Sequence, residues 1–214
     1  HAVGALRFGR VAQCRAVGAR RPGATTHGSG VITRRFSGQL AEQGAAHGHA
    51  VCATGNAGLA GGGTDVSPFC DQHGGFVMNV TIDKYAYATI DDAPAGTVSF
   101  HAQDAEASET LAVADVQANA GPLQLMKGVY LHLTDRYLGG VRPSIRVRTH
   151  SDAPPGSGLG SSSTMVVALV AAFAEYFSLP LGEYEVAQLA YRIERSDLGL
   201  SGGKQDQYAA AFGG

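Results

Sequence analysis

The segment Pro154-Pro-Gly-Ser-Gly-Leu-Gly-Ser-Ser-Ser-Thr164 concentrates the chemistry of this chain. Before it, Ile145, Val147 and Thr149 alternate with Arg146, Arg148 and His150; after it comes a nearly all-apolar run, about 161–177. The spacing predicts a strand, a loop and a helix. Gly156, Gly158 and Gly160 let the backbone come close to a ligand and take positive φ. Ser161, Ser162 and Ser163 stand where free N–H groups and the positive end of the helix dipole face the loop. Such a terminus binds phosphate, and serine hydroxyls bond phosphate oxygens or ligate Mg²⁺. The Gly-Lys-Ser/Thr ending of a Walker A loop is absent. Ser161 occupies the third-glycine position of a dinucleotide fingerprint, and the Gly-x-Ser-x-Gly elbow does not fit. A Gly/Ser turn capped by serine at a helix start would leave the same local pattern.

Three acids could serve such a loop. Asp206 lies in a Gly-rich approach to a last helix, about 204–212, where a helix N-terminus favours a carboxylate. Lys204, two residues earlier, is placed either to lower its pKa, to touch phosphate, or to be solvated. Glu194 ends a helix whose apolar stripe is Val186, Leu189, Ala190 and Ile193, which also fits a surface acid paired with Arg192 or Arg195. Asp65 follows Gly61-Gly-Gly63 and Thr64, a pattern that an Asx-type turn alone would explain.

The elements that must hold these groups divide into strands first and helices late, an α+β order. Phe76, Met78, Val80 and Ile82 alternate as a strand, extended chain continues to Ile90, and 91–96 reads as a turn before a short strand near 97–101. Leu123, Met126, Tyr130, Leu133 and Tyr137 recur at helical spacing, ended by Gly139-Gly140.

Residues 1–57 differ. They hold seven arginines, no lysine and one acid, Glu42, a net charge of +6 within a chain of net charge −2. They show no trusted periodicity. Two origins fit, a basic disordered arm or out-of-frame translation of GC-rich DNA, and both place 1–57 outside the folded core, with the domain at 58–214. No apolar run is long enough to span a bilayer. The overall charge points to neither nucleic acid nor an anionic membrane. Cys14, Cys52 and Cys70 lack metal-ligand spacing, and a cytoplasmic, reducing location fits them best. The eight histidines, His47 and His49 included, form no metal constellation.

Three ordered motifs resemble those of the GHMP kinases. The glycine loop is similar to that superfamily's central motif. Leu59-Ala-Gly-Gly-Gly-Thr-Asp65 looks like the first motif of its sugar kinases, and Gly202-Gly-Lys-Gln-Asp-Gln207 resembles the segment with the catalytic acid. Together with Asn79-Val-Thr-Ile-Asp83, they look most like the branch that phosphorylates D-glycero-D-manno-heptose 7-phosphate at its anomeric hydroxyl; fucokinase- and galactokinase-type enzymes are the alternatives. The resemblance covers about 59–214. It implies a ribosomal-protein-S5-like N-terminal domain, a ferredoxin-like C-terminal domain that this chain does not reach, and ATP and Mg²⁺ as cofactors. It implies Asp206 as catalytic base, nucleotide contacts from Pro155, Gly156, Ser157, Gly158, Leu159, Gly160, Ser161, Ser162 and Ser163, metal contacts from Ser162 and Glu194, and contacts with a small sugar or sugar-phosphate substrate from Gly63, Thr64 and Asp65. The first motif normally follows a strand carrying a basic residue; here Ala53-Thr-Gly-Asn-Ala57 precedes it, so strand and cation are read as missing. The chain starts at His1 and ends at Gly214, so the expectation is an incomplete protein, either a poor kinase or an inactive nucleotide-binding fragment. An unpaired sheet edge and an uncovered 165–173 helix face should follow. Oligomeric state is not legible.

Overall fold

A helix apolar on every side requires cover on every side. Helix α3, Ser161–Tyr176, is such an element, and all its residues from Ser163 to Ala174 are buried. The computed structural model describes residues 31–36 (backbone only), 48–118, 121–154 and 156–213. Within these, α3 lies against a six-stranded sheet and is flanked by three further helices.

The strands are β1 (Val31–Phe36), β2 (Gly48–Ala60), β3 (Met78–Asp92), β4 (Thr97–Ala102), β5 (Ala107–Ala112) and β6 (Ile145–Ser151). Their order is β1-β2-β3-β6-β4-β5, antiparallel except for the parallel β4–β6 pair. The helices are α1 (Phe69–His73), α2 (Gln124–Tyr137), α3, α4 (Glu183–Arg192) and α5 (Gln205–Phe212). α3 packs on β2 and β3, with α2, α4 and α5 against it. Alternation explains the buried sheet face: Ile145, Val147 and Thr149 of β6 are buried with Ala86, Ala88 and Ile90 of β3 and Val98 and Phe100 of β4. This is the α+β class that the element order implied, with α2, α3 and β6 where periodicity placed them.

Two expectations need correction. Residues 31–36 pair with the sheet as β1, and residues 48–57 are not outside the core. They belong to β2, which pairs with β3 from Gly48↔Asp91 to Ala60↔Met78, and Val51, Ala53 and Asn56 are each at most 2% exposed. The domain boundary at 57/58 therefore falls inside a core strand, and the strand read as missing ahead of Leu59 is present. Small residues hid it. Gly, Ala and Asn are weak strand formers, and this strand forms because β1 and β3 flank it and α3 covers it. For the same reason the 165–173 face of α3 is covered. Residues 1–30 and 37–47 lie outside the described residues.

The far end of the β2–β3 ribbon is different. Phe76 is 81% exposed and Met78 52%, and Leu59 and Val80 are also exposed. The alternation that marked β3 thus has an uncovered apolar side. Deleting residues 1–57 should remove β2, so that this chain loses its cooperative thermal transition in circular dichroism.

Candidate functional site

β6 runs directly into the glycine loop, and the start of that loop is tied to β3. The Asp152 backbone N–H donates to the Tyr85 carbonyl (2.9 Å), and Asp152 Oδ2 accepts from the Tyr85 N–H (3.1 Å). Gly156, Gly158 and Gly160 have φ of 75°, 73° and 67°, the left-handed region that favours glycine. Their surroundings divide them. A Cβ on Gly156 or Gly158 would meet nothing within 4 Å, so these two glycines leave an open approach. A Cβ on Gly160 would lie 2.6 Å from Asn56 Nδ2 and 3.1 Å from Asp206 Cγ. Gly160 is thus the point where the loop, β2 and α5 come together. Pro155 lies outside the described residues. Gly156, Ser157 and Gly158 are exposed, and Leu159 and Ser161 are half-buried.

Glu194 is 1% exposed. Its Oε1 accepts from Ser162 Oγ at 2.9 Å, and its Oε2 accepts from Gln207 Nε2 at 2.6 Å. Gln207 also donates to Ser163 Oγ at 2.9 Å. Arg195 Nη1 stands 3.9 Å from Glu194 and donates to the carbonyl of Leu200; Nη2 donates to that of Gly203. The surface-acid reading of Glu194 is therefore corrected. The chain enters this position through a π-helical turn, Ile193–Asp197, in which the Leu198 N–H reaches back to the Ile193 carbonyl at 3.0 Å. The wider turn carries Glu194 inward, a distortion common at functional sites.

Asp206 occupies the first turn of α5. Burial pushes its carboxyl above the usual range; contact with Asn56 pulls it down, Glu194 pushes it up, Arg195 pulls it down and Asp65 pushes it up. Lys204 does not contribute. Its Nζ lies 5.4 Å from the centre of the Tyr191 ring, in cation–π contact.

Asp65 is joined to Asp206 through the helix start. Its Oδ2 accepts the backbone N–H of Lys204 and, at 2.8 Å, that of Gln205, so a carboxylate 140 residues away caps α5. Gly203 is required for this approach, because a Cβ there would lie 2.1 Å from Asp65 Oδ2. Thr64 Oγ1 donates to the carbonyl of Gly61 (2.7 Å) and accepts from the Phe76 N–H (3.0 Å). That hydroxyl holds the loop closed. Gly63, with open space at its Cβ position, and the second oxygen of Asp65 are the motif's outward-facing groups.

Sequence reasoning missed the roles of Gln207 and Asn56, whereas Arg195 stands beside Glu194 as one of the two partners that the sequence offered. Gln207 was visible only as the last letter of a motif. Asn56, buried in β2, stands beside Gly160 and Asp206.

The geometry is thus a glycine loop opening onto a helix N-terminus, with a buried carboxylate on its second serine and a second carboxyl of raised pKa beside it. The chain carries a domain that matches the profile of the GHMP kinases N terminal domain, over residues 124–214. It is 46% identical over 158 residues to D-glycero-alpha-D-manno-heptose 7-phosphate kinase of Campylobacter jejuni, covering 73% of this chain and 46% of that protein. It is 48% identical to the crystal structure of a D-glycero-D-manno-heptose 1-phosphate kinase from Bacteroides thetaiotaomicron, with a TM-score of 0.70, covering 78% of this chain and 54% of that one. Lactococcus lactis galactokinase in complex with galactose shares the fold, at 20% identity and a TM-score of 0.66 over 78% of this chain and 42% of that one. The chain thus spans about half the length of the heptose-phosphate kinases it matches.

Two stability experiments test this geometry. Replacing Asp65 with Ala should cost about 1 kcal/mol in thermal melts, the usual value of a helix cap, and Asp65→Asn, which keeps an acceptor, should cost less. For Asp206, a folded-state pKa above the unfolded one means that ionisation opposes folding; the stability present at low pH is lost as pH rises from about 4 through the folded value. Asp206→Asn should therefore melt higher than wild type at pH 7, with the gap closing toward pH 4.

Proposed function

We propose that the protein transfers the γ-phosphoryl group of ATP to a hydroxyl of a sugar phosphate, the anomeric hydroxyl of D-glycero-D-manno-heptose 7-phosphate. The observation that carries this reading is the convergence of the open glycine loop, the Ser162–Glu194 pair and Asp206 around Gly160. The substrate class follows from two relatives at 46% and 48% identity, whose names share the heptose and differ in the phosphate position.

Backbone N–H groups of the loop and of the first turn of α3 hold the phosphates, aided by the helix dipole. A cavity of about 500 Å³ between the β4–β5 turn and the start of α2, lined by Ser108, Gly121, Gln124 and the Glu109–Lys127 ion pair, suits the nucleoside. Its β4 side lies along β6, the strand that leads into the loop. Ser162 and Glu194 fit Mg²⁺: they are hard oxygen donors 2.9 Å apart at a helix N-terminus, and the carboxylate is buried. Mg²⁺ typically takes one or two protein carboxylates and completes its shell with water and phosphate. Correspondingly, no cluster of three or more His, Cys, Asp or Glu side chains is placed to hold a metal among the described residues. When bound, the ion neutralises charge on the phosphates.

Asp206 accepts the proton of the attacking hydroxyl. As that O–H bond breaks, the sugar oxygen bonds the γ-phosphorus and the bond to the ADP oxygen breaks. A carboxyl whose pKa is raised is the stronger base for this step. The outward oxygen of Asp65 and the open face at Gly63 suit sugar hydroxyls. A cytoplasmic setting is part of this reading, in keeping with the free thiols Cys52 and Cys70.

The test is ADP release by full-length protein with a panel of heptose phosphates, galactose and fucose. Turnover should require the heptose phosphate. Asp206→Asn should keep ATP affinity and lower kcat by roughly 10²–10⁴. Turnover with galactose or fucose but not the heptose would replace the substrate, and near-normal turnover by Asp206→Asn would remove the base.

A further inference from the structure

The π-helical turn that delivers Glu194 is held from behind by α2. His132 Nδ1 lies 2.5 Å from Asp197 Oδ2, at the end of the turn. The other ring nitrogen, Nε2, has no hydrogen-bond partner among the described residues, so Asp197 is the one hydrogen-bonded link of this imidazole. One turn earlier on α2, Gly128 leaves room for the next residue of the chain: a Cβ there would come within 2.9 Å of Leu198 Cδ2. Beside the pair opens a cavity of about 510 Å³ lined by Gly128, Leu131, His132 and Asp197, so packing does not close this side of the turn. Inside the turn, the Leu198 N–H bonds the Ile193 carbonyl at 3.0 Å and the Leu200 N–H bonds that of Glu194 at 2.8 Å. The backbone of Ile193 and Glu194 is therefore held by hydrogen bonds from one segment, residues 197–200, which α2 grips at Asp197 and Leu198.

We propose that His132 and Asp197 are positioning residues: their hydrogen bond sets the π-helical turn, and through it the Glu194 carboxylate that faces Ser162. This inference rests on the reading of Glu194 as the acid that holds Mg²⁺. Neither side chain touches substrate, and both act through the backbone between residues 193 and 200. Groups that orient a metal ligand from outside typically change metal affinity by 10–100-fold when removed.

The test uses full-length Asp197→Asn, His132→Ala and Glu194→Gln with two readouts. Asp197 has a side chain 39% exposed, so Asp197→Asn keeps the fold even if His132→Ala does not. The first readout is amide hydrogen exchange at Leu198 and Leu200 without nucleotide. The second is the Mg²⁺ concentration giving half-maximal ADP formation, set beside Mg²⁺-free ATP affinity. Asp197→Asn and His132→Ala should speed exchange at both amides and raise the Mg²⁺ requirement by roughly tenfold, leaving ATP affinity unchanged. General loosening of the fold would lower kcat and melting temperature without moving the Mg²⁺ requirement. Unchanged exchange in Asp197→Asn overturns the proposal. So does an unchanged Mg²⁺ requirement in Asp197→Asn when Glu194→Gln raises it. If Glu194→Gln itself leaves the requirement unchanged, the metal reading fails and this inference falls with it.

Discussion

Glu194 is a carboxylate taken almost wholly out of water, and the site depends on how that charge is kept. An unpaired buried charge is costly, so such groups persist only when hydrogen-bonded or paired. Here Ser162 and Gln207 each donate to one oxygen, and Arg195 stands beside the first. Hydrogen bonds to charged groups contribute about 1.5–3 kcal/mol each. The donors come from α3 and α5 and the acceptor from the turn after α4. One charge therefore links three segments that also pack against one another.

The second link is Asp65. Its carboxylate caps α5 while belonging to the loop that follows β2. A shift of that loop would move the helix that carries Asp206. Asp65 and Asp206, the groups proposed for substrate and for base, thus share one backbone connection, and Gly203 is the residue whose missing side chain lets it form. Thr64, by contrast, directs its hydroxyl into the loop.

What could be read from the chain followed residue size and periodicity. β6, α2 and α3 carry strong apolar patterns and appear where those patterns lie. The glycine loop was legible as a loop because its glycines and serines lie between two strongly patterned elements, β6 and α3. β2 was illegible because its residues are small, and only its neighbours make it a strand. β5, half-exposed at the sheet edge, and the five-residue α1 gave no periodic signal either. Acids were found by type and motif, but their relations were not. That Glu194 is buried, that Asp65 caps a helix and that Lys204 turns toward Tyr191 are outcomes of long-range packing. No spacing along the chain encodes them.

The strand order has a kinetic meaning. β6 is the last strand in the chain, yet it lies between β3 and β4, and it is the only described strand that joins the β1-β2-β3 group to the β4-β5 hairpin. Until residues 145–151 dock, both halves present open edges, and the parallel β4–β6 pairing must close a loop of more than forty residues. Pairings so distant in sequence are slow to form, because loop closure precedes the contacts that repay it. On a ribosome, chain is made N-terminal first, so the two half-sheets emerge and wait. The glycine loop begins one residue after β6 ends. Sheet closure and the assembly of the glycine loop are therefore one folding event, and a chain caught before it has both unpaired strand edges and an unformed loop.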